Sequence, residues 1–150
     1  MWLRWLWSWD SIKESSQPAR FRIGLGLLGL WGVGVLIAAA FPIDLEGAPQ
    51  TLSGSIHRIN GRLAFTSVTA GVILISRRFM QDEQWRPFRR TALILSLVML
   101  AAYIATFLAN ATESGFIGLS QRTSLATFVT WFLLTAARLR SIATGSVPAR

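Results

Sequence analysis

The chain has 150 residues, 52% of them hydrophobic and only 15% charged, with seven Trp and nine Phe. Soluble domains carry about 25% charged residues, so this composition excludes a disordered chain and an ordinary water-soluble domain, and it points to a membrane. No Cys is present, which removes disulfides, thiolate metal sites and a cysteine nucleophile, and one His with seven carboxylates leaves few ligands for a metal.

The net charge is +8, and fourteen of the fifteen basic residues are Arg. In a soluble chain that balance would suggest nucleic acid. Here the basic residues lie between apolar runs, as the flanks of membrane spans do, and no nucleic-acid partner is expected.

Residues 1–20 read as a separate cytoplasmic segment. Trp2, Trp5, Leu6 and Trp9 fall at helical spacing with Arg4 and Ser8 opposite, a short interfacial helix that Ser15, Ser16 and Pro18 are expected to break. The apolar stretch is too short and too interrupted for a signal peptide. Ile23 to Phe41 follows, nineteen residues with no charged residue and no Ser, Thr, Asn or Gln, enough to cross about 30 Å of hydrocarbon.

Three further spans are predicted. Leu63 to Ser76 reaches full length if its helix starts near Ser55, with Arg62 and Arg77 snorkelling at its ends. Ala92 to Ala109 is uncharged, and Phe116 to Ala137 is interrupted by Gln121 and Arg122. The expected spans are 22–41, 56–77, 91–110 and 116–137, with 21–140 as one transmembrane domain and 141–150 as a tail. The fold class is all-α: an integral membrane four-helix bundle with a short N-terminal interfacial helix. A soluble bundle would show a polar face on every helix, and the first span has none.

Loop charges set the expected orientation. Twelve basic residues fall on one side, around Arg20 and Arg22, Arg77 to Arg90, and Arg138 and Arg140, and three on the other, Arg58, Arg62 and Arg122. Basic loops stay cytoplasmic, so both termini are expected inside. The basic face is expected to meet anionic lipid.

Several patterns have a plain structural reading. Gly24-Leu-Gly26-Leu-Leu-Gly29 matches a dinucleotide fingerprint, but it lies inside a span, with no strand before it and no exposed helix start. These glycines, with Gly32 and Gly34, instead allow close helix approach or local flexibility. On the second helix His57, Gly61, Ala64, Ser67 and Gly71 form a small-residue stripe for a neighbouring helix. Ser96, Tyr103, Thr106 and Asn110 share a face of the third helix, and Thr123, Thr127 and Thr130 share one of the fourth. Both faces are expected to point inward, because unsatisfied polar groups are costly in lipid. Asn110-Ala-Thr112 is a glycosylation sequon, relevant only in a eukaryotic secretory pathway. Ser53 and Ser55 lie near His57, but no nucleophile motif surrounds them.

Arg122 calls for a partner, with Asp44, Glu46, Glu113 or a lipid phosphate as candidates. His57, the only imidazole, is more readily a hydrogen-bonded helix-start residue than a catalyst. No cofactor or metal is expected.

Phe41-Pro42-Ile43-Asp44, then His57 opening a helix that continues Ala64-Phe65, and Gly118-Leu119-Ser120-Gln121-Arg122 with Trp131 beyond, resemble the domain of unknown function 998 family over roughly residues 23 to 140. The resemblance implies a multi-pass prokaryotic membrane protein, in a bacterial or archaeal plasma membrane, with no established activity. It singles out Pro42, Asp44, His57, Gln121 and Arg122. Family members usually have six spans, so it also implies a shortened member lacking the first two helices, or one whose start differs from its relatives.

Together these readings predict an outer polar cluster of Asp44, His57, Tyr103, Asn110, Gln121 and Arg122. The function expected is a non-enzymatic lipid-binding or accessory membrane subunit, with a second copy or another membrane protein as partner. The alternatives are a membrane-embedded hydrolase or transferase acting on lipid headgroups through His57 and Asp44, and an oligomeric transporter or channel component. Four short helices enclose little, and the first three spans hold no mid-membrane charge, which ranks transport last.

Overall fold

A computed structural model describes residues 4–45, 47–112 and 115–145, with side chains from residue 19 onward. Among them run four long helices: α1 (Arg4–Ala40), α2 (Leu52–Phe79), α3 (Arg89–Ala111) and α4 (Ile117–Ala143). A 3-10 turn, Glu83–Trp85, lies between α2 and α3. Spans long and apolar enough to cross a membrane are Ala19–Ala40, Leu52–Phe79, Arg89–Ala111 and Ile117–Ala143. Four such helices are the number the all-α bundle calls for. The protein is an integral membrane four-helix bundle.

One expected boundary is absent. The helical backbone of α1 runs through Ser15, Ser16 and Pro18 without a break. A single proline forfeits one i→i−4 bond and leaves its neighbours' bonds in place. The side chains of Trp5, Leu6 and Trp9, and all of Trp2, lie outside the described residues.

Each end of a span has a local cause. Phe41 N bonds Ile37 O at 3.0 Å, and Pro42 then stops α1, since it has no N–H to continue the ladder. Thr51 caps α2 in extended backbone, accepting from Gly54 N. Asp82 accepts from Gln84 N at 3.0 Å and opens the short turn before α3. Gly145, at φ 62°, closes α4 in the left-handed region that glycine fills without strain.

Consecutive helices pack as neighbours, α1 on α2, α2 on α3 and α3 on α4, so the chain goes up and down. The α1–α2 and α3–α4 connections share one end of the bundle, the loop end. The α2–α3 connection and the α4 terminus share the other, the basic end. The buried core holds Val68, Val72, Ile75 and Phe79 of α2, Trp85 and Phe88 of the connection, Ala92 and Met99 of α3, and Phe128 and Trp131 of α4. Val68, Val72, Ile75 and Phe79 recur at four, three and four residues, the stripe that one helix presents to its neighbours. Helix α2 is the centre: 44% of its most apolar window is buried, against 11% for α1. Leu36, Phe107 and Leu133 stay exposed, as side chains facing lipid do.

Two close crossings join α1 to α2. At the first, a Cβ on Gly71 would stand 3.0 Å from Gly24 O. At the second, a Cβ on Gly34 would stand 2.8 Å from the Ala64 Cβ. Of the α1 glycines expected to allow close approach, Gly24 and Gly34 do so, whereas Gly26, Gly29 and Gly32 have open space beside them.

Candidate functional site

The polar residues of the loop end build a clamp between the end of α1 and the start of α2. Asp44 accepts from the Thr51 hydroxyl and from Thr51 N at 3.2 Å. The same hydroxyl oxygen accepts from Gly54 N at 3.1 Å, so the carboxylate, the threonine and the helix start form one relay. Arg58 adds an ion pair at 3.9 Å, with its side chain 43% exposed, and a pair that open to solvent contributes little. A Cβ on Gly54 would fall 1.9 Å from Asp44 Oδ2, so only glycine lets the carboxylate lie over the helix start.

Donors of α2 run along the end of α1 at spacings of four and three. Ser53 Oγ donates to Pro42 O at 3.0 Å, His57 Nδ1 to Phe41 O at 2.8 Å, and Asn60 Nδ2 to Gly34 O at 2.8 Å. A carbonyl only accepts, so Nδ1 of His57 carries a proton. The first two occupy carbonyls at and just beyond the end of α1, which its ladder leaves unpaired, and the third is a second bond to a carbonyl inside the helix.

The Thr51 hydroxyl first, and then the Thr51 N–H and Arg58, hold the Asp44 carboxyl below its ordinary value of 3.8, against the opposing effect of burial. A group held low stabilises the folded chain above its unfolded value and loses that contribution as pH falls through the folded one. The clamp is therefore expected to be intact at neutral pH and to release only below pH 3.8. Thermal unfolding in detergent, scanned from pH 6 to pH 3, is expected to show this loss in the wild type. Asp44→Asn is expected to start less stable and to vary less with acid.

The six predicted residues divide between the two hairpins. Asp44 and His57 belong to the clamp. The Tyr103 hydroxyl lies 2.7 Å from the Thr66 hydroxyl, joining α3 to α2. Thr66 already donates to Arg62 O, so Tyr103 is the donor. Asn110, Gln121 and Arg122 are exposed. Among the described residues, no hydrogen bond or ion pair joins any of the six to another. Arg58, not Arg122, is the cation beside Asp44. Glu46 and Glu113, the other carboxylates considered for Arg122, lie outside the described residues.

The polar faces of α3 and α4 also differ from expectation. Ser96 is buried, and Thr106 and Ser120 meet at 2.9 Å between α3 and α4. Thr127 points inward, but Thr123 and Thr130 are exposed. They donate at 2.9 Å to Leu119 O and Ala126 O, one turn back. A hydroxyl satisfied by its own helix can face lipid, which removes the reason for turning it inward. The inward polar residues of α4 are Ser120, Ser124, Thr127 and Thr135, together with Trp131. Trp131 Nε1 donates to Ser76 Oγ at 2.9 Å, a buried link from α4 to α2.

The family model described as a protein of unknown function, DUF998, matches residues 6–138. The chain belongs to the DUF998 family. No curated protein and no solved structure matches it. The DUF998 match contains the whole clamp, both glycine crossings and the Ser76–Trp131 link. Within this DUF998 chain no group of three or more His, Cys, Asp or Glu gathers among the described residues.

Four residues that hold the clamp, Thr51, Ser53, Gly54 and Asn60, stand outside the predicted set. Thr51 carries a readable signal, a threonine placed one residue before an apolar helix. Ser53 and Asn60 share the periodicity of His57, at four and three residues, and that spacing marks them as one helix face. Gly54 carries no signal, because its role comes from a carboxylate ten residues earlier in the chain.

Proposed function

We propose that this DUF998 protein is a non-enzymatic, lipid-binding accessory subunit of a prokaryotic plasma membrane, with both termini cytoplasmic. The observation that carries the reading is the pair Arg62 and Arg122. Both are exposed cations inside spanning helices, near the loop end, and neither pairs with a carboxylate among the described residues. An arginine at that depth needs an anionic partner, and a lipid phosphate beside the helix supplies one in the bidentate geometry guanidinium favours.

The charge distribution supports the orientation. Arg77, Arg89 and Arg90 flank the α2–α3 connection, where Arg78 and Arg86 pair with Asp82 and Glu83. Basic connections stay inside, and each free arginine near an anionic leaflet adds about 1 kcal/mol of attraction. The clamp supports the non-enzymatic reading. Asp44 and His57, the pair a headgroup hydrolase would use, are both engaged with backbone or capping groups of the chain itself. A partner, whether a second copy or another membrane protein, would meet the exposed apolar faces.

Native mass spectrometry of protein released from mild detergent tests this. The wild type is expected to retain phospholipid, Arg122→Ala to retain less, and the Arg62→Ala/Arg122→Ala pair to emerge bare. A bare wild type, or retention unchanged by both substitutions, overturns the reading.

A further inference from the structure

Most hydroxyls inside the spanning helices have the same outlet. Thr66, Ser67, Ser96, Thr123, Thr127 and Thr130 each donate to the carbonyl four residues back. Ser76 is bonded across the bundle by the Trp131 indole. Thr69 and Ser124 do neither. They are 3% and 0% exposed, and the hydroxyl oxygen of each lacks a hydrogen-bond partner. Thr135 shares that condition, but it lies closer to the basic end.

Thr69 and Ser124 belong to one level of the bundle. Helices α2 and α4 are each antiparallel to α3, so they run parallel to one another. The bond from Trp131 to Ser76 fixes their register. Thr69 stands seven residues before Ser76, and Ser124 stands seven before Trp131. Seven residues are close to two turns: they return a side chain to the same face within about 20° and displace it by roughly 10.5 Å. Thr69 therefore faces Ser124 as Ser76 faces Trp131, two turns nearer the loop end. At the Ser76 level an indole fills the space between the helices. At the Thr69 level two short side chains face the same space.

Helix α3 forms the wall. The Thr66–Tyr103 bond sets its register against α2. Three residues onward along α2 and four back along the antiparallel α3 bring Met99, 1% exposed, to the level of Thr69. Val68, Val72 and Ala102 are buried nearby, so the surroundings of the two hydroxyls are apolar.

We propose that Thr69 Oγ1 and Ser124 Oγ bind one water molecule between them, in the middle of the bundle, and that this water is a second polar tie between α2 and α4. A buried water needs two to four polar partners. Two hydroxyls that each donate and accept satisfy that requirement, and the buried side chains named around them are apolar. The return bond to the helix carbonyl is equally open to both residues. Neither takes it, although neighbours on the same helices do.

Two measurements on the full chain in mild detergent test the proposal. The first is X-ray radiolytic labelling read by mass spectrometry, in which radicals formed from a bound water oxidise the residue beside it. Met99 is expected to be labelled in the wild type despite its burial, and several-fold less in Thr69→Val/Ser124→Ala. The second is a double-mutant thermal cycle. Thr69→Val and Ser124→Ala are each expected to lower Tm, and the double variant to fall no further than the worse single, because either loss releases the same water. Met99 labelling that is absent or unchanged by the substitutions overturns the water, as do additive or neutral single effects. Coupling without Met99 labelling also overturns it and leaves a direct bond between the hydroxyls.

Discussion

Trp131→Ala is expected to lower stability more than any other single substitution in the bundle, by about 3 kcal/mol, the low end of the range for deleting a buried tryptophan or phenylalanine, because lipid leaves the cavity term and little of the transfer term. Trp131 is 2% exposed and sits where three elements meet. Its ring lies 6.3 Å from that of Phe79 at an interplanar angle of 18°. Phe79 in turn stacks on Trp85 at 3.8 Å and 9°, and Phe88 tilts against both at 6.1 and 6.0 Å. The α2–α3 connection is thus folded inward as an aromatic floor, with Trp131 as its wall on the α4 side. Arg138 helps hold it by donating to Gln84 O. Removing the indole leaves a void against Phe79 and strips Ser76 of its donor.

The energy at stake is packing rather than hydrophobic transfer. In lipid the unfolded helices are already surrounded by apolar chains, so association rests on van der Waals contact and interhelical bonds. Trp131→Phe separates the two contributions. It keeps most of the ring contact and loses the N–H donor, for which membrane measurements suggest about 0.6 kcal/mol. Thr130→Ala, next in sequence but exposed, is expected to stay within about 0.5 kcal/mol of wild type. A thermal series followed by size exclusion in detergent should rank Trp131→Ala far below Trp131→Phe, with Thr130→Ala near wild type. If the Phe variant fell as far as the Ala variant, the hydrogen bond and not the aromatic packing would be the principal tie.

The architecture was legible because the strongest rule of membranes acts along the sequence. Residues 23–41 contain nothing that water would favour, so they must span, and the arginine-rich connections alternate with poor ones. The polar residues were harder to place, for a definite reason. Asp44, His57 and Arg122 invite assembly into one cluster, because charged and titratable groups near a membrane need partners. The partners of the first two are mostly local: a threonine hydroxyl, a backbone N–H and a backbone carbonyl. Backbone partners leave no mark in a sequence. The same holds for Thr123 and Thr130, whose own helix satisfies them and frees them from facing inward. Trp131 stands out in the sequence only through the family resemblance. That it bonds Ser76, fifty-five residues earlier, requires the register of two parallel helices, which no local pattern encodes.

Gly71→Leu is the second large effect, expected to lower stability by about 1–3 kcal/mol and to separate α1 from the bundle. Helix α1 is held almost wholly by α2, with one further ring contact, Trp31 to Phe128 at 4.5 Å. At Gly71 the nearest obstacles to a Cβ are Gly24 O at 3.0 Å, Leu28 Cδ2 at 3.2 Å and Leu27 Cβ at 3.3 Å. The first is backbone, and it cannot move aside unless the helix moves with it. Gly24 repeats the constraint from the other side, since a Cβ there would meet Ile75 Cγ1 at 2.8 Å. Dispersion falls steeply with distance, and a gap of about 0.5–1 Å forfeits a quarter to a half of each contact. A helix with no other large interface then has little left to hold it.

The chain contains no Cys, so introduced cysteines report the separation against a clean background. Spin labels at Leu36→Cys and Leu63→Cys, both exposed and within two residues of the second crossing, report the α1–α2 distance without entering the contact. That distance is expected to be narrowly distributed in this background, and to lengthen and broaden when Gly71→Leu is added. Gly61→Leu is the control, because it is the same change in the same helix with nothing within 4 Å of its Cβ position. It should leave that readout and the stability near wild type. Equal losses from Gly61→Leu and Gly71→Leu would mean that the glycine content of α2, through helix propensity, and not the crossing, governs the effect. A loss confined to Gly71→Leu would assign the attachment of α1 to the close crossing with Gly24.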